Sequence, residues 1–495
     1  MPRDALVVVP PLLKVVSGPL LGPAMLVGAG RAAGHRVRVL DLNARWLREQ
    51  LGDPGSPPTS PFIGDHDRPA ALLRSVQRDF ARSAGAVLPP ASDPGVGEDP
   101  GLTLTFDHGD VLVAARRFAE SEFGRWLDPQ LEAVPRPDVL GVSVMYSGQV
   151  LAALAVSIAA RRMWPGILIV WGGAHVTALR SAISNDAAYG ACVDRFVFGY
   201  AERTWVELLE ALAGRRSLPS AAVAAGSGRD ESADDDPRVV PAFDHLDDYG
   251  WGRLTLPAQT SRGCAYGRCT FCTYPAVEGR YRPLELDPAL AIVAAAERVG
   301  AVVSFKDSLV VPQRLEAIAA AVGGRVSWSA CTKLHGAFDA RFLQRLAVGG
   351  CATLEFGLET LTPSGQLLIE KNQSLPLFLR ALDAADAARI AVVINYITGF
   401  PDGDADEETR WLDRVRDALS DRPALVAKIE HNTFQLERMS PMGRRPAAFG
   451  LRVTRTWPWA SVMAWEATAA CRAVAARFET TERARRSRTS ASLTR

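Results

Sequence analysis

Leu254-Thr-Leu-Pro-Ala-Gln-Thr260-Ser-Arg-Gly-Cys264-Ala-Tyr-Gly-Arg-Cys269-Thr-Phe-Cys272 reads as a short apolar strand running into a loop with three thiols spaced C-x4-C-x2-C. Gly263 and Gly267 supply the backbone freedom that a tight metal loop demands. Three thiolates from one short loop, with no His or fourth Cys nearby, can hold a four-iron cluster while leaving one iron free of protein ligands. Closed zinc and structural cluster sites normally take four. A zinc site or an inert thiol cluster is the competing reading of these residues.

Towards the C-terminus the pattern repeats. After the strand 254–260, further strands are expected at 302–305, 326–330, 353–356, 391–397 and 425–429, with helical patterns between them. Six β/α units predict a partial (β/α)6 barrel or a strongly curved parallel sheet, with its site at the carboxyl ends of the strands. Towards the N-terminus a second alternation appears, with strands at 5–10, 36–42, 139–144, 167–170 and 194–199 and helices at 20–34, 149–164 and 204–212. This is an α/β, doubly wound (Rossmann-like) unit of five strands. An insertion at about 50–135 is rich in Pro, Gly and Asp, with one helix-like piece at 70–84. The expected domains are therefore 1–213, a linker at 214–250 whose GSGRDESADDDP run is too polar to order itself, a second domain at 251–440, and a mostly helical C-terminal extension at 441–495 with a disordered Arg/Ser/Thr tail.

The 495 residues contain 56 Lys+Arg against 55 Asp+Glu, so no bulk field favours nucleic acid or an anionic membrane. Seven Cys are too few for a disulfide framework, which places the chain in a reducing compartment, the cytoplasm by default. No apolar run reaches the ~18 residues of a membrane span, and the N-terminus lacks a signal-peptide layout.

The thiol loop resembles that of the radical S-adenosylmethionine (SAM) superfamily, with Phe271 as the aromatic before the third Cys. One extra residue in the first gap departs from the usual x3 spacing. Ser-Arg-Gly-Cys264 and Thr-Phe-Cys272 match the branch that carries an N-terminal cobalamin-binding domain. Phe305-Lys-Asp-Ser-Leu, Leu354-Glu-Phe-Gly-Leu-Glu359 and Ile397-Thr-Gly-Phe-Pro401 extend the resemblance. It implies that Cys264, Cys269 and Cys272 bind a 4Fe-4S cluster whose fourth iron takes the methionyl end of SAM. Reductive cleavage then yields a 5′-deoxyadenosyl radical, chemistry that the cofactor brings and the protein positions. It further implies Phe271 near the adenine, Asp307 and Ser308 near the methionyl end, Glu359 near the ribose and Gly399 near the adenine. Asp307 and Ser308 also suit a helix cap, Glu359 a helix-start charge and Gly399 a plain turn.

The first unit resembles the cobalamin-binding domain fused to such enzymes. The rim this implies comprises Pro11, Asn43, Ser147, Gln149, Gly172, Gly173, His175 and Glu202. The Asp-x-His-x-x-Gly of mutases is missing, so no His lower ligand to cobalt is evident, and a lone loop residue such as His175 more often hydrogen-bonds locally. His431, Asn432 and Gln435 follow the sixth strand as substrate-cavity or scaffold residues, and Cys192, Cys331, Cys351 and Cys471 read as small buried hydrophobes. Arginines around 483–488 read as a solvated end.

The expected activity is C-methylation of an unactivated carbon in a peptide or small secondary metabolite, with an external electron donor of flavodoxin or ferredoxin type. Ring contraction, cyclisation or oxidation without methyl transfer, and a corrinoid-binding protein with a structural metal site, are the alternatives.

Overall fold

A computed structural model describes residues 1–13, 17–51, 108–249, 252–401 and 403–467. The helix-like piece at 70–84, Cys471 and the basic tail lie outside them.

Five parallel strands, β1 (Asp4–Val9), β2 (Arg36–Asp41), β3 (Val139–Ser143), β4 (Leu168–Gly172) and β5 (Arg195–Phe196), pair in the order β2-β1-β3-β4-β5. Both faces are covered, which is why β1 reads as a continuous apolar run rather than an alternating one. Leu6, Val8, Leu140 and Val142 pack on one side against Leu151 and Leu154, and Ala5, Val7, Val37 and Val139 on the other against Trp205 and Leu209. The order reverses between β1 and β3, opening a crevice at the strand ends. The last part of the insertion folds into the core: helices His108–Glu120 and Glu122–Glu132 bury Val111, Phe118, Leu127 and Leu131 beneath the sheet.

The second sheet is also parallel. β6 (Thr255–Ala258), β9 (Val302–Phe305), β10 (Trp328–Thr332), β11 (Cys351–Glu359), β12 (Ala391–Thr398) and β13 (Ala427–Thr433) pair in chain order, open at β6 and β13. Between β6 and β9 a two-residue antiparallel ribbon, β7 (Ser261–Arg262) with β8 (Arg282–Pro283), carries the chain into and out of the thiol loop. Neighbours in register share a face. One face presents Val303, Phe305, Trp328, Ala330, Leu354, Phe356, Val392 and Ile394, all buried beneath the helices. The other presents Ser304, Ser329, Cys331, Glu355 and Asn395.

Two expectations require correction. The C-terminal extension is not mostly helical among the described residues: β14 (Leu436–Glu437), β15 (Leu451–Thr456) and β16 (Val462–Ala467) form an antiparallel sheet in the order β14-β16-β15, with only short helical turns between. The apolar/polar alternation of Leu451-Arg-Val-Thr-Arg is the strand period that marks it. The 214–249 stretch is not a free linker either. Val223 exchanges two 2.8 Å backbone hydrogen bonds with Phe196, Ala233 N–H donates to Phe198 at 2.7 Å, and Tyr249 Oη donates to Asp41 at 2.6 Å. Its acidic residues gain order from polar partners instead of apolar burial.

Those partners lock the parts together. The Arg262 guanidinium, 3% exposed, binds Glu202 at 2.7 Å and Asp235 at 2.5 Å and lies 3.9 Å over the Tyr200 ring. The His175 ring Nε2 donates to the Trp459 carbonyl at 2.8 Å, and the Trp459 indole packs 5.6 Å from Trp171 and 4.7 Å from Tyr189. Burial drives the His175 pKa down to about 4, so the folded state holds it neutral.

Two outcomes follow. His175 contributes stability fully present above its unfolded pKa near 6.5 and lost as pH falls towards 4, whereas burial raises Asp41 to about 6 and acts in the opposite sense. The stability difference between wild type and His175→Asn should therefore shrink by about 2 kcal/mol between pH 7 and pH 5, read by denaturant titration at each pH. Glu202→Gln leaves Arg262 under-compensated and should cost about 3 kcal/mol, whereas the double change Glu202→Leu with Arg262→Met should cost less than the sum of its single changes.

Candidate functional site

The thiol loop leaves β6 at the carboxyl end of the second sheet and is clasped from both sides. Asp307, buried just after β9, accepts from Thr260 N–H and Oγ at 3.0 Å and from Ser261 Oγ at 2.6 Å. It fixes the strand leading to Cys264. Gly263 adopts φ 71°, and a Cβ there would lie 2.7 Å from the Gly279 and Arg280 backbone, so only glycine fits. Its N–H donates to Glu278 Oε2 at 3.2 Å, and Ser308 Oγ donates to the same oxygen at 2.6 Å. On the far side Thr270 donates to the Leu368 and Ile369 carbonyls at 2.7 and 3.2 Å, and Tyr266 Oη to Glu370. Asp307 and Ser308 thus brace the loop. Neither caps a helix, since the next one starts at Pro312 after Val311.

Cys264, Cys269 and Cys272 are free thiols, half-buried in this loop. Burial first, with the neighbouring thiols adding to it, pushes Cys269 up to about 11 and Cys272 up to about 12. Three such thiolates are costly without a cationic centre and are stabilised by one. Among the described residues no three His, Cys, Asp or Glu side chains converge as a single metal ion requires. Thiolates on a multi-iron cube bind separate irons and need no common point, so the three residues fit the cluster.

Around them stand the other expected residues. Phe271 meets Phe400 edge-on at 6.1 Å. Gly399, at φ 78°, and Phe400 donate their N–H groups to Glu408 at 2.7 and 3.2 Å, which shapes the turn. Glu359 ends β11 at φ 65° after a register shift and pairs with Lys371 at 2.5 Å. Lys371 is buried, and its charge draws the Cys269 thiol downward. Glu278, Glu408 and Lys371 escaped sequence reading because each acts across the fold on a motif residue without belonging to a motif. Cys331 is also corrected: it stands half-accessible on the polar face of β10, whereas Cys192 and Cys351 are buried as expected.

The crevice of the first sheet is equally braced. Gln149, fully buried, accepts from Met145 N–H at 2.8 Å and donates to the Pro10 carbonyl at 2.7 Å, tying the loops after β1 and β3. Asn43 Oδ1 accepts from Leu13 N–H at 2.9 Å, beside buried Pro11. Gly173, at φ 107°, would place a Cβ 2.4 Å from the Val144 carbonyl, and Gly172 lies before it at the end of β4. Ser147 opens the short turn Ser147–Gln149, half-buried. Glu202 and His175 depart from expectation: the first is taken up by Arg262 and the second by Trp459, so both hold domains together. His431 and Asn432 are exposed at the end of β13, where His431 bonds Thr398 at 2.9 Å, and Gln435 is half-buried.

Comparison with known proteins agrees with this geometry. Residues 130–209 match the B12 binding domain family and residues 258–412 the Radical SAM superfamily. An uncharacterized methyltransferase of Pyrococcus horikoshii is 24% identical over 295 residues, 55% of this chain and 62% of its own length, so the chain spans less than two thirds of that relative. Among solved structures, the radical SAM methyltransferase TsrM from Kitasatospora setae, with cobalamin and a [4Fe-4S] cluster bound, aligns over 95% of this chain and 84% of its own at 16% identity and TM-score 0.59. The cobalamin-dependent SAM radical enzyme OxsB, with aqua-cobalamin and SAM bound, aligns over 97% and 66% at 13% identity and TM-score 0.57. A unit matching the B12 binding domain family is thus joined to a unit matching the Radical SAM superfamily, whose clasped three-thiol loop stands on a six-stranded parallel sheet, and the chain shares the fold of TsrM and OxsB.

Proposed function

We propose that the chain methylates an unactivated carbon of a small metabolite or peptide, using SAM, a 4Fe-4S cluster and cobalamin. The observation that carries this reading is the loop itself: three half-buried thiols, no fourth ligand in the loop, held at the carboxyl ends of the second sheet. When bound, the cluster supplies the electron that cleaves SAM, and cobalamin carries the methyl group. The chain's residues position and enclose. Cys264, Cys269 and Cys272 are the cluster ligands. Phe271 and the Gly399 turn offer an apolar edge and backbone for adenine, and Glu359 with Lys371 offers a charged pair at the end of β11 for the polar part of SAM. Asp307 and Ser308 position the loop through Thr260, Ser261 and Glu278 and need not touch SAM. Pro11, Ser147, Gly172 and Gly173 form the corrin-facing rim, with Gln149 and Asn43 bracing it. A flavodoxin or ferredoxin would deliver electrons, and a cytoplasmic setting suits the reduced thiols. No helix among the described residues is long and apolar enough to cross a membrane.

A second reading is radical ring contraction, cyclisation or oxidation without methyl transfer. It rests on the same three-thiol loop, which would serve either outcome.

Protein purified and reconstituted without oxygen should bind iron and acid-labile sulfide and cleave SAM. Cys269→Ala should abolish the cleavage, and retained cleavage would reject the cluster assignment. Gly263→Ala should lower iron content severalfold at unchanged protein yield, because its Cβ would displace the loop. With methyl-labelled SAM, a product carrying the label supports methylation. A substrate lighter by two hydrogens and unlabelled selects the second reading.

A further inference from the structure

The inner face of the second sheet is polar, although a strand inside a parallel sheet is usually apolar on both sides. In β10 and β12 burial alternates: Trp328, Ala330, Val392 and Ile394 are sealed under helices, whereas Ser329, Cys331 and Asn395 remain half-accessible. Polar side chains reached by solvent along the middle of a sheet mark the wall of a cavity. Ser304 and Ser329 satisfy each other on it at 3.0 Å.

Two carboxylates on and around this wall are matched by lysines. Glu359 pairs with Lys371 at 2.5 Å, and Glu430 with Lys428 at 2.7 Å. Glu355 is different. Its Oε1 accepts from Asn395 Nδ2 at 2.7 Å, and among the described residues no cation pairs with it. A neutral amide orients a carboxylate without compensating its charge, and a half-buried charge left in that state is costly until a cation arrives. The Glu355 carboxylate stands in register with Cys331 on the neighbouring strand, and, after burial, its charge is the next cause that raises both the Cys331 thiol and the Tyr146 phenol. Tyr146 belongs to the loop after β3 and keeps 52% of its surface accessible. Glu355 therefore stands on the wall that looks towards the first domain.

We propose that Glu355, aimed by Asn395, receives a cationic nitrogen of the substrate, so that the enzyme acts on an amine- or guanidine-bearing molecule. The assignment rests on the inner face being the substrate chamber of the proposed enzyme. The sulfonium of SAM is the other cation that could reach this carboxylate, and the test separates the two.

Anaerobically reconstituted full-length protein is titrated, by ligand-observed NMR, with ammonium probes and their hydroxyl isosteres: tryptamine against tryptophol, phenethylammonium against phenethyl alcohol, and putrescine against butanediol. At least one ammonium probe should bind about tenfold more tightly than its isostere. Glu355→Gln should reduce that preference to within twofold, and Glu355→Asp should retain part of it. SAM affinity and iron content, measured on the same samples, should stay within twofold of wild type. Absence of an ammonium preference in wild type, or its persistence in Glu355→Gln, overturns the proposal. A parallel loss of SAM affinity also overturns it and assigns Glu355 to the sulfonium. Failure of wild type to bind iron or SAM would instead sink the enzymatic reading, and the probe titration would still report on Glu355.

Discussion

Two residues before Cys264, the Arg262 side chain is enclosed between the carboxylates of Glu202 and Asp235 and stacked on Tyr200. Burying a guanidinium costs several kcal/mol, and its ion pairs return little more than that cost. What the arrangement secures is registry. Glu202 opens the helix that packs beneath the first sheet, Asp235 belongs to the strap joining the two sheets, and Arg262 is the last residue before the loop turns at Gly263. A planar group with fixed donor directions holds the three in one relative position, which a point charge such as lysine would not. The thiol loop is thereby tied to the domain whose rim it must face.

The same economy governs the second sheet. Its helix-side face excludes water with Trp328, Phe356 and Ile394, which supplies the hydrophobic stabilisation and leaves the opposite face free of a packing role. Polar residues accumulate there because nothing apolar covers them. The C-terminal sheet completes the assembly from outside: Phe434, Leu436 and Met442 join Leu368 and Phe400 in a cluster against which Phe271 packs. The aromatic before the third Cys is thus held by residues far along the chain.

Much of this was legible in the linear chain, because buried parallel strands write themselves as apolar runs and a metal loop as spaced cysteines. Both five- and six-stranded units appear with the expected strands, their ends displaced by at most four residues. The three thiols stand together in one loop, and Phe271 meets Phe400, the residue after Gly399, edge-on. Illegible were the contacts that join distant segments. The acidic run around Asp235 looks disordered in sequence, yet Asp235 pairs with Arg262, 27 residues away, and further along the same strap Asp248 pairs with Arg45 at 3.1 Å, 203 residues away. Composition cannot register an arginine supplied by another domain. For the same reason Glu202 and His175 looked like ligand-facing residues: a buried polar side chain at a strand end has one appearance in sequence whether its partner is a cofactor or a carbonyl.

A pattern runs through these cases. Around the loop the motif residues divide into those that remain open to a ligand and those already spent on backbone. Asp307, Gln149 and Asn43 are spent: each satisfies backbone N–H groups or carbonyls of a loop that would otherwise lose them on leaving its strand. Cys264, Cys269 and Cys272 are free thiols. Bracing by side chains, not by strand pairing, lets an irregular loop hold a fixed shape while its own polar surface faces inward. Substituting a bracing residue should consequently resemble substituting a ligand in activity while differing in kind, because the ligand-facing groups persist and only their positions are lost.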